Sequence, residues 1–223
     1  MNQPIVSSPQ PITLIGGVQP APATLAKALS IAPFLVAVDG GGDHALAAGR
    51  MPEAVIGDMD SLSDAGRTAL DGRIYAIPEQ NSTDFDKALR SVSAPMVIGV
   101  GFLGDRLDHA LAALHVLLKY RDTPVILLGE DDLLFIAPGH IQLELPVGMR
   151  FSLMPLPHAR VDTRGLRWEV KDAAMSLTDF IGTSNEVAAQ TVEIYAMGGL
   201  AVILPPEALD EVVRALTAAF RAG

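Results

Sequence analysis

Short apolar runs alternate with helical patterns through the first part of the chain. Ile12–Ile15, Phe34–Val38, Ala54–Ile56, Ile74–Ile77, Met96–Val100 and Val125–Leu128 read as strands. Thr24–Ala32, Asp43–Ala48, Ser63–Leu70 and Thr83–Arg90 carry helical spacing between them. Leu107, Ala110, Leu111, Leu114, Leu117 and Leu118 fall on one face of a further helix. Strand–helix alternation of this kind predicts an α/β fold with a mainly parallel sheet, covered by helices on both sides.

The pattern changes near Ala137-Pro138-Gly139. Beyond it lie short extended runs broken by Gly, Pro and Asp: Ile141–Leu145, Arg150–Met154, Leu166–Val170, Thr191–Ala196 and Leu200–Leu204. Helical spacing returns only at Pro206–Arg221. The expectation is two domains, residues 1–138 and residues 139–223, the second a small antiparallel β domain with a terminal helix.

Composition narrows the function classes. The 223 residues include 16 Lys and Arg against 26 Asp and Glu, a formal net charge of −10, which disfavours a general nucleic-acid or anionic-membrane binder. The chain has no Cys, hence no disulfide, thiolate metal site or Cys nucleophile. No apolar run reaches the roughly 18 residues of a membrane span. The opening MNQPIVSSPQP lacks the basic end and apolar stretch of a signal peptide, so a soluble, cytoplasmic protein is expected. Residues 1–138 hold 13 Asp but only 3 Glu. Helix capping accounts for part of that excess, and the positions of the aspartates decide the rest.

Four polar clusters follow strands of the first domain, at the sheet edge where open α/β folds bind ligands. They are Asp39-Gly40-Gly41-Gly42, Gly57-Asp58-Met59-Asp60-Ser61, Asn81-Ser82-Thr83-Asp84 and Gly101 through His109. Asp58 and Asp60, at i and i+2, share one side of an extended segment and suit Mg²⁺; Asp60-Ser61 equally suits a helix cap. Thr83 suits an N-cap, with Asp84 and Asp86 favoured by the helix dipole; a metal-facing or general-base part for Asp84 is the alternative. The loop Gly101–Gly104 before a helix suits phosphate cradling. Gly99, Gly101 and Gly104 also fit G-x-G-x-x-G, but no acidic residue follows at the end of a strand about 20 residues on. Arg106 suits phosphate neutralisation, or else a surface ion pair with Asp108 behind an Asp105 cap. P-loop, H-E-x-x-H and G-x-S-x-G motifs are absent.

In order, the segments Val38-Asp39-Gly40-Gly41, Ile56 through Ser61, Ser82-Thr83-Asp84-Phe85 and Gly104 through His109 resemble the thiamine pyrophosphokinase family, with hallmarks D-G-G, G-D-x-D-S, T-D and G-x-R-x-D-[HQ]. Gly165-Leu166-Arg167-Trp168 is similar to its G-L-[KR]-W segment, and Thr183-Ser184-Asn185 to its T-S-N segment. The resemblance spans about residues 34–197.

The resemblance implies transfer of pyrophosphate from ATP to the hydroxyl of thiamine, giving thiamine diphosphate and AMP. It implies a Rossmann-like domain followed by a β-sandwich, and a homodimer with sites between subunits. Asp58, Asp60 and Asp84 would bind Mg²⁺ and the transferred phosphates, with Arg106 and Asp108 acting at the nucleotide. Asp39, Gly40, Gly41, Gln80, Thr83, Gly104 and His109 would complete the ATP site. Trp168, Ser184 and Asn185 would meet thiamine, a cation that an aromatic face attracts. Asn81 stands where the family often has an acid, Gly42 where Ala is usual, and Asp105 where a small residue is usual. Other readings are a pyrophosphokinase for another small alcohol such as a hydroxymethyl-pterin, a non-catalytic nucleotide- or thiamine-binding protein, and a dinucleotide-dependent oxidoreductase. The missing ribose-binding acid counts against the last.

Overall fold

A computed structural model describes residues 3–104 and 106–222; the Asp105 cap candidate lies outside them. The chain divides into two compact units. The first runs to Val116 and resumes for Ile126–Glu130; the second takes Leu117–Val125 and the chain from Asp131 on.

The first unit contains β1 (Val6–Ser7), β2 (Ile12–Ile15), α1 (Pro22–Ile31), β3 (Phe34–Val38), α2 (Gly41–Ala47), β4 (Ala54–Gly57), α3 (Asp64–Ala69), β5 (Ile74–Ala76) and α4 (Asp84–Ser91). It continues with β6 (Val92–Ser93), β7 (Val97–Val100), the part of α5 (Leu107–Lys119) up to Val116, and β8 (Val125–Leu128) from Ile126 on. Its main sheet has the order β8-β7-β2-β3-β4-β5. The pairs β2–β3, β2–β7, β3–β4 and β4–β5 are all parallel. Every residue of β2, β4, β7 and β8 is buried, which is why these strands read as continuous apolar runs rather than alternations. Chain order runs outward from β2 through β3, β4 and β5, then returns to β7 on the other flank. The reversal makes a topological switch point between β2 and β7.

The second unit contains β9 (Leu133–Ile136), β10 (His140–Glu144), β11 (Arg150–Arg164), β12 (Ala173–Ser176), β13 (Gly182–Glu186), β14 (Thr191–Leu204), a 3₁₀ turn at Pro206–Ala208 and α6 (Leu209–Ala222). The order is β12-β11-β14-β9, with β10 also on β14 and β13 also on β11, and every pairing is antiparallel. Phe135, Leu143, Phe151, Leu153, Val192, Ile194 and Val202 form its core. Helix α6 buries Leu209, Val212, Ala215 and Leu216 and packs on β10, where Glu211 Oε1 accepts the Glu144 N–H at 2.5 Å. Among the described residues no helix is long and apolar enough to cross a membrane.

Several sequence expectations change here. The runs ending at Met154 and Ala196 are interior parts of two long strands, β11 and β14. Pro155, Pro157 and Gly198-Gly199 do not end them, because the register shifts between Pro155 and Ala159 and absorbs the breakers in an irregularity. Leu166–Val170 is not a strand: Leu166 makes a single bridge to Val187, and the chain then loops. On α5 the expected apolar face is only partly covered. Leu107 and Leu111 are exposed, and Ala113, Val116 and Leu117 are the buried positions.

Candidate functional site

Three aspartates converge after β3 and β4. One carboxylate oxygen from each of Asp39, Asp58 and Asp60 lies within 4.8 Å of the others. Asp39 ends β3 in the left-handed region, with φ 47° and only 6% exposure. Its carboxylate accepts the Ser61 N–H at 3.2 and 3.4 Å. Burial pushes the Asp39 carboxyl above its ordinary pKa, against the bond from Ser61.

Asp58 and Asp60 meet for a different reason than strand alternation. Met59 is buried at φ 71°, so the chain turns between them, and the Asp60 N–H donates to Asp58 Oδ1 at 3.2 Å. A non-glycine residue there carries strain that the surrounding contacts must hold. Arg67 contributes by donating to the Met59 carbonyl. The capping alternative fails: Ser63, not Asp60-Ser61, caps α3, accepting the Gly66 N–H at 2.9 Å.

Asp84 joins from the first turn of α4. Its Oδ1 accepts the Asp58 N–H at 3.0 Å. Gly57 makes room for this approach, since a Cβ there would lie 2.9 Å from the Asp39 Cβ and 3.2 Å from Asp84 Oδ1. Thr83 does cap α4, its hydroxyl accepting the Asp86 N–H at 3.2 Å.

Lys87 is the residue that sequence reasoning missed. Its side chain is only 1% exposed, and its Nζ sits 2.9 Å from both Asp58 Oδ2 and Asp84 Oδ1. Burial opposes its charge, but the bonds to Asp84 and Asp58 outweigh that and hold the ammonium above its ordinary pKa. The same bond, first among the causes, holds Asp58 below the usual carboxylate value. The available signal was position: Lys87 follows Asp84 by three residues on a helix whose Phe85, Ala88 and Leu89 are core.

The loop before α4 completes the group. Gln80 Nε2 donates to Asp58 Oδ2 at 3.1 Å. Arg90 donates to Ser82 Oγ and Glu79 Oε1, both at 2.8 Å, and Glu79 accepts the Asn81 N–H at 2.7 Å and the Ser82 hydroxyl. Bonds from Ser82 and Arg90 lower the Glu79 pKa to about 2. Arg106 and Asp108 pair with each other at 2.7 Å on the start of α5, both 65% exposed, which is the surface-pair geometry. His109 and Gly104 are exposed beside them. Gly40 and Gly41 open α2, and a Cβ on Gly41 would lie 2.0 Å from the Ile15 carbonyl oxygen. Gly99 lies inside β7, so the G-x-G-x-x-G match is not one glycine loop.

In the second unit the structure brings Trp168 and Asn185 together. Trp168 is 56% exposed and Asn185 only 6%. Asn185 Oδ1 accepts the Trp168 N–H at 3.1 Å, and Nδ2 donates to the Trp168 carbonyl at 2.8 Å. The Arg167 guanidinium lies 4.9 Å from the centre of the Trp168 ring. Ser184 is exposed at φ 58°, and its N–H donates to Ser152 Oγ at 3.0 Å.

The two groupings fall within separate family matches. Residues 25–127 match the family model described as the thiamin pyrophosphokinase catalytic domain, and residues 140–200 match its vitamin B1 binding domain. Thiamine pyrophosphokinase 1 of Arabidopsis thaliana is 32% identical over 167 residues, covering 64% of this chain and 61% of the relative. The match therefore spans about three-fifths of that curated relative's length. Among solved structures, thiamin pyrophosphokinase from Candida albicans superposes with a TM-score of 0.75 over 92% of this chain and 95% of its own, at 14% identity. The Geobacillus thermodenitrificans enzyme gives 0.71 over 87% and 96%, at 22% identity.

Proposed function

The chain belongs to the thiamin pyrophosphokinase family, and from that premise we propose that it transfers the pyrophosphoryl group of ATP to the hydroxyl of thiamine. The observation that carries the reading is the convergence of Asp39, Asp58 and Asp60 after adjacent parallel strands, braced by a buried lysine. A hard-oxygen donor set of this kind fits Mg²⁺, which takes one or two carboxylates and completes its shell with water and phosphate oxygens. Asp39, Asp58 and Asp60 would hold the metal, with Asp84 as a further carboxylate of the set. Magnesium bound there supplies charge neutralisation to the phosphate oxygens.

Phosphoryl chemistry asks the protein mainly for positioning and electrostatics. The thiamine hydroxyl oxygen forms a bond to the β-phosphorus of ATP. The bond from that phosphorus to the α,β-bridging oxygen breaks, and AMP departs with the electron pair. The hydroxyl proton passes to a carboxylate of the aspartate group. Lys87 holds the Asp58 and Asp84 carboxylates in place through its ammonium. Gln80, Gly40, Gly41 and the turn at Gly104 surround the nucleotide phosphates, and Arg106, released from Asp108, neutralises them. Thr83 acts there through its helix cap.

Trp168 receives thiamine by stacking and cation–π attraction, with Ser184 at the pocket edge. The match to a vitamin B1 binding domain favours thiamine over a pterin alcohol. The reading includes a cytoplasmic homodimer whose sites are completed between subunits, with catalysis in residues 1–138 and thiamine binding in residues 139–223.

The test is product analysis after incubation with ATP, Mg²⁺ and thiamine. AMP and thiamine diphosphate appearing together, and only with Mg²⁺, is the expected result. Thiamine binding without AMP would replace the enzyme reading with a binding protein. For the shared site, mixing and co-refolding Asp58→Asn with Trp168→Ala should give, at low thiamine, more activity than the two variants show when assayed separately.

A further inference from the structure

Asn185 is the one buried side chain of β13, between exposed Ser184 and half-buried Glu186. Its carbonyl oxygen accepts the N–H groups of Trp168, at 3.1 Å, and Glu186, at 2.8 Å. Those two bonds use both lone pairs of that oxygen. Its amide nitrogen donates to the Trp168 carbonyl at 2.8 Å. A single side chain thus binds both polar groups of one backbone residue, and its oxygen and one of its two amide N–H groups are committed to the protein.

The neighbouring backbone reinforces this attachment. Leu166 bridges to Val187, and the Arg167 N–H donates to the Glu186 carbonyl at 2.9 Å. Residues 166–168 are therefore fastened to residues 185–187 while the Trp168 indole projects, 56% exposed. Arg167 lies over that ring, and its guanidinium also stands 3.6 Å from the Glu186 carboxylate. A large aromatic surface left in water, on a backbone anchored by a buried amide, has the form of a preorganised contact plate.

We propose that Asn185 is a positioning residue and not a substrate contact: its amide clamps the Trp168 backbone so that the indole offers one fixed face to an aromatic cation, Arg167 covering the other. The proposal rests on the reading that Trp168 receives thiamine. It revises the part that resemblance gives Asn185.

Trp168 is the only tryptophan in the chain, so intrinsic fluorescence reports on this residue alone. Asn185→Ala should make Trp168 more accessible to acrylamide and lower its emission anisotropy in the ligand-free protein. The same change should raise the thiamine KM about tenfold, with kcat and the ATP KM within about twofold. Asn185→Asp keeps the accepting oxygen but turns a carboxylate oxygen toward the Trp168 carbonyl in place of the donating amide, so it too should loosen Trp168; it serves if the alanine variant does not fold.

Trp168 fluorescence unchanged in the folded variants overturns the proposal, whatever the kinetics. A loosened Trp168 with an unchanged thiamine KM overturns it as well. Failure of thiamine to perturb wild-type Trp168 emission overturns the platform reading of Trp168 itself. That outcome is distinct from failure of the clamp, which is read without ligand.

Discussion

The two candidate surfaces are built on opposite principles. In the first unit the functional groups are charges, and the innermost are sheltered: Lys87 is 1% exposed and Asp39 6%, while Asp60 and Arg106 face outward. In the second unit the central group is an apolar ring, and it is exposed, with its polar support buried beneath it. Each arrangement is costly for the side chain concerned. A buried charge loses its hydration and must find partners, and an exposed indole forgoes burial. Under the proposed function the contrast follows from the ligands. Phosphates carry charge, which fixed dipoles and ions stabilise best where water is thin. An aromatic cation needs an open π face.

The sharpest way to break this comparison is Lys87→Met. It leaves Asp58 and Asp84 without their buried partner, and loss of one member of a buried ion pair costs about 3–5 kcal/mol. Urea unfolding should show that loss; a change below about 1 kcal/mol would mean that the charges are better solvated than the geometry implies. Next, Asp58→Asn should lower turnover about 100-fold or more while thiamine still quenches Trp168. Equal damage to both would show that the two surfaces are not separable. Trp168→Ala should raise the thiamine KM about tenfold and change stability by no more than about 0.5 kcal/mol, as for an exposed side chain. A larger rise in the ATP KM would move Trp168 away from thiamine.

The smallest effect concerns the loop. The Glu79 pKa is about 2 in the fold, against an ordinary 4.5. The unfolded chain therefore takes up its proton first as pH falls. The contribution of Glu79 is complete above pH 4.5 and declines toward pH 2. Glu79→Gln should flatten the acid limb of the stability curve in that window, measured by thermal melts. An unchanged limb would remove the loop clamp from the comparison.

The same division explains what the sequence disclosed. Phe34–Val38 and Val125–Leu128 were legible to the residue, because strands buried on both faces leave unbroken apolar runs. β11 and β14 were not, because prolines and glycines that usually end strands sit at a register shift only pairing reveals. β9 was missed as well, although Gly129-Glu130-Asp131-Asp132 sets Leu133–Ile136 apart from β8 as a short apolar run of its own. Asp58 and Asp60 were visible as a pair, yet their meeting depends on the left-handed Met59, which no spacing rule supplies. Asp39 was read as a nucleotide residue, whereas its carboxylate lies with the metal-type cluster. Lys87 escaped because lysine is ordinarily read as surface, and only tertiary packing turns this one inward. Asn185 was visible through its motif, but the direction of its amide was not.

Gly57 gives the molecule an unusual vulnerability. The residue ends a buried parallel strand, and a single added methyl group would press on Asp39 at 2.9 Å and on Asp84 at 3.2 Å. Its backbone lies outside the left-handed region, so alanine would meet no objection from the chain itself. One nucleotide change suffices to turn a glycine codon into an alanine codon. A gene duplicate carrying that change would have its acidic centre forced apart at Asp39. This position is therefore the one to inspect first when sorting active copies of this fold from inert ones.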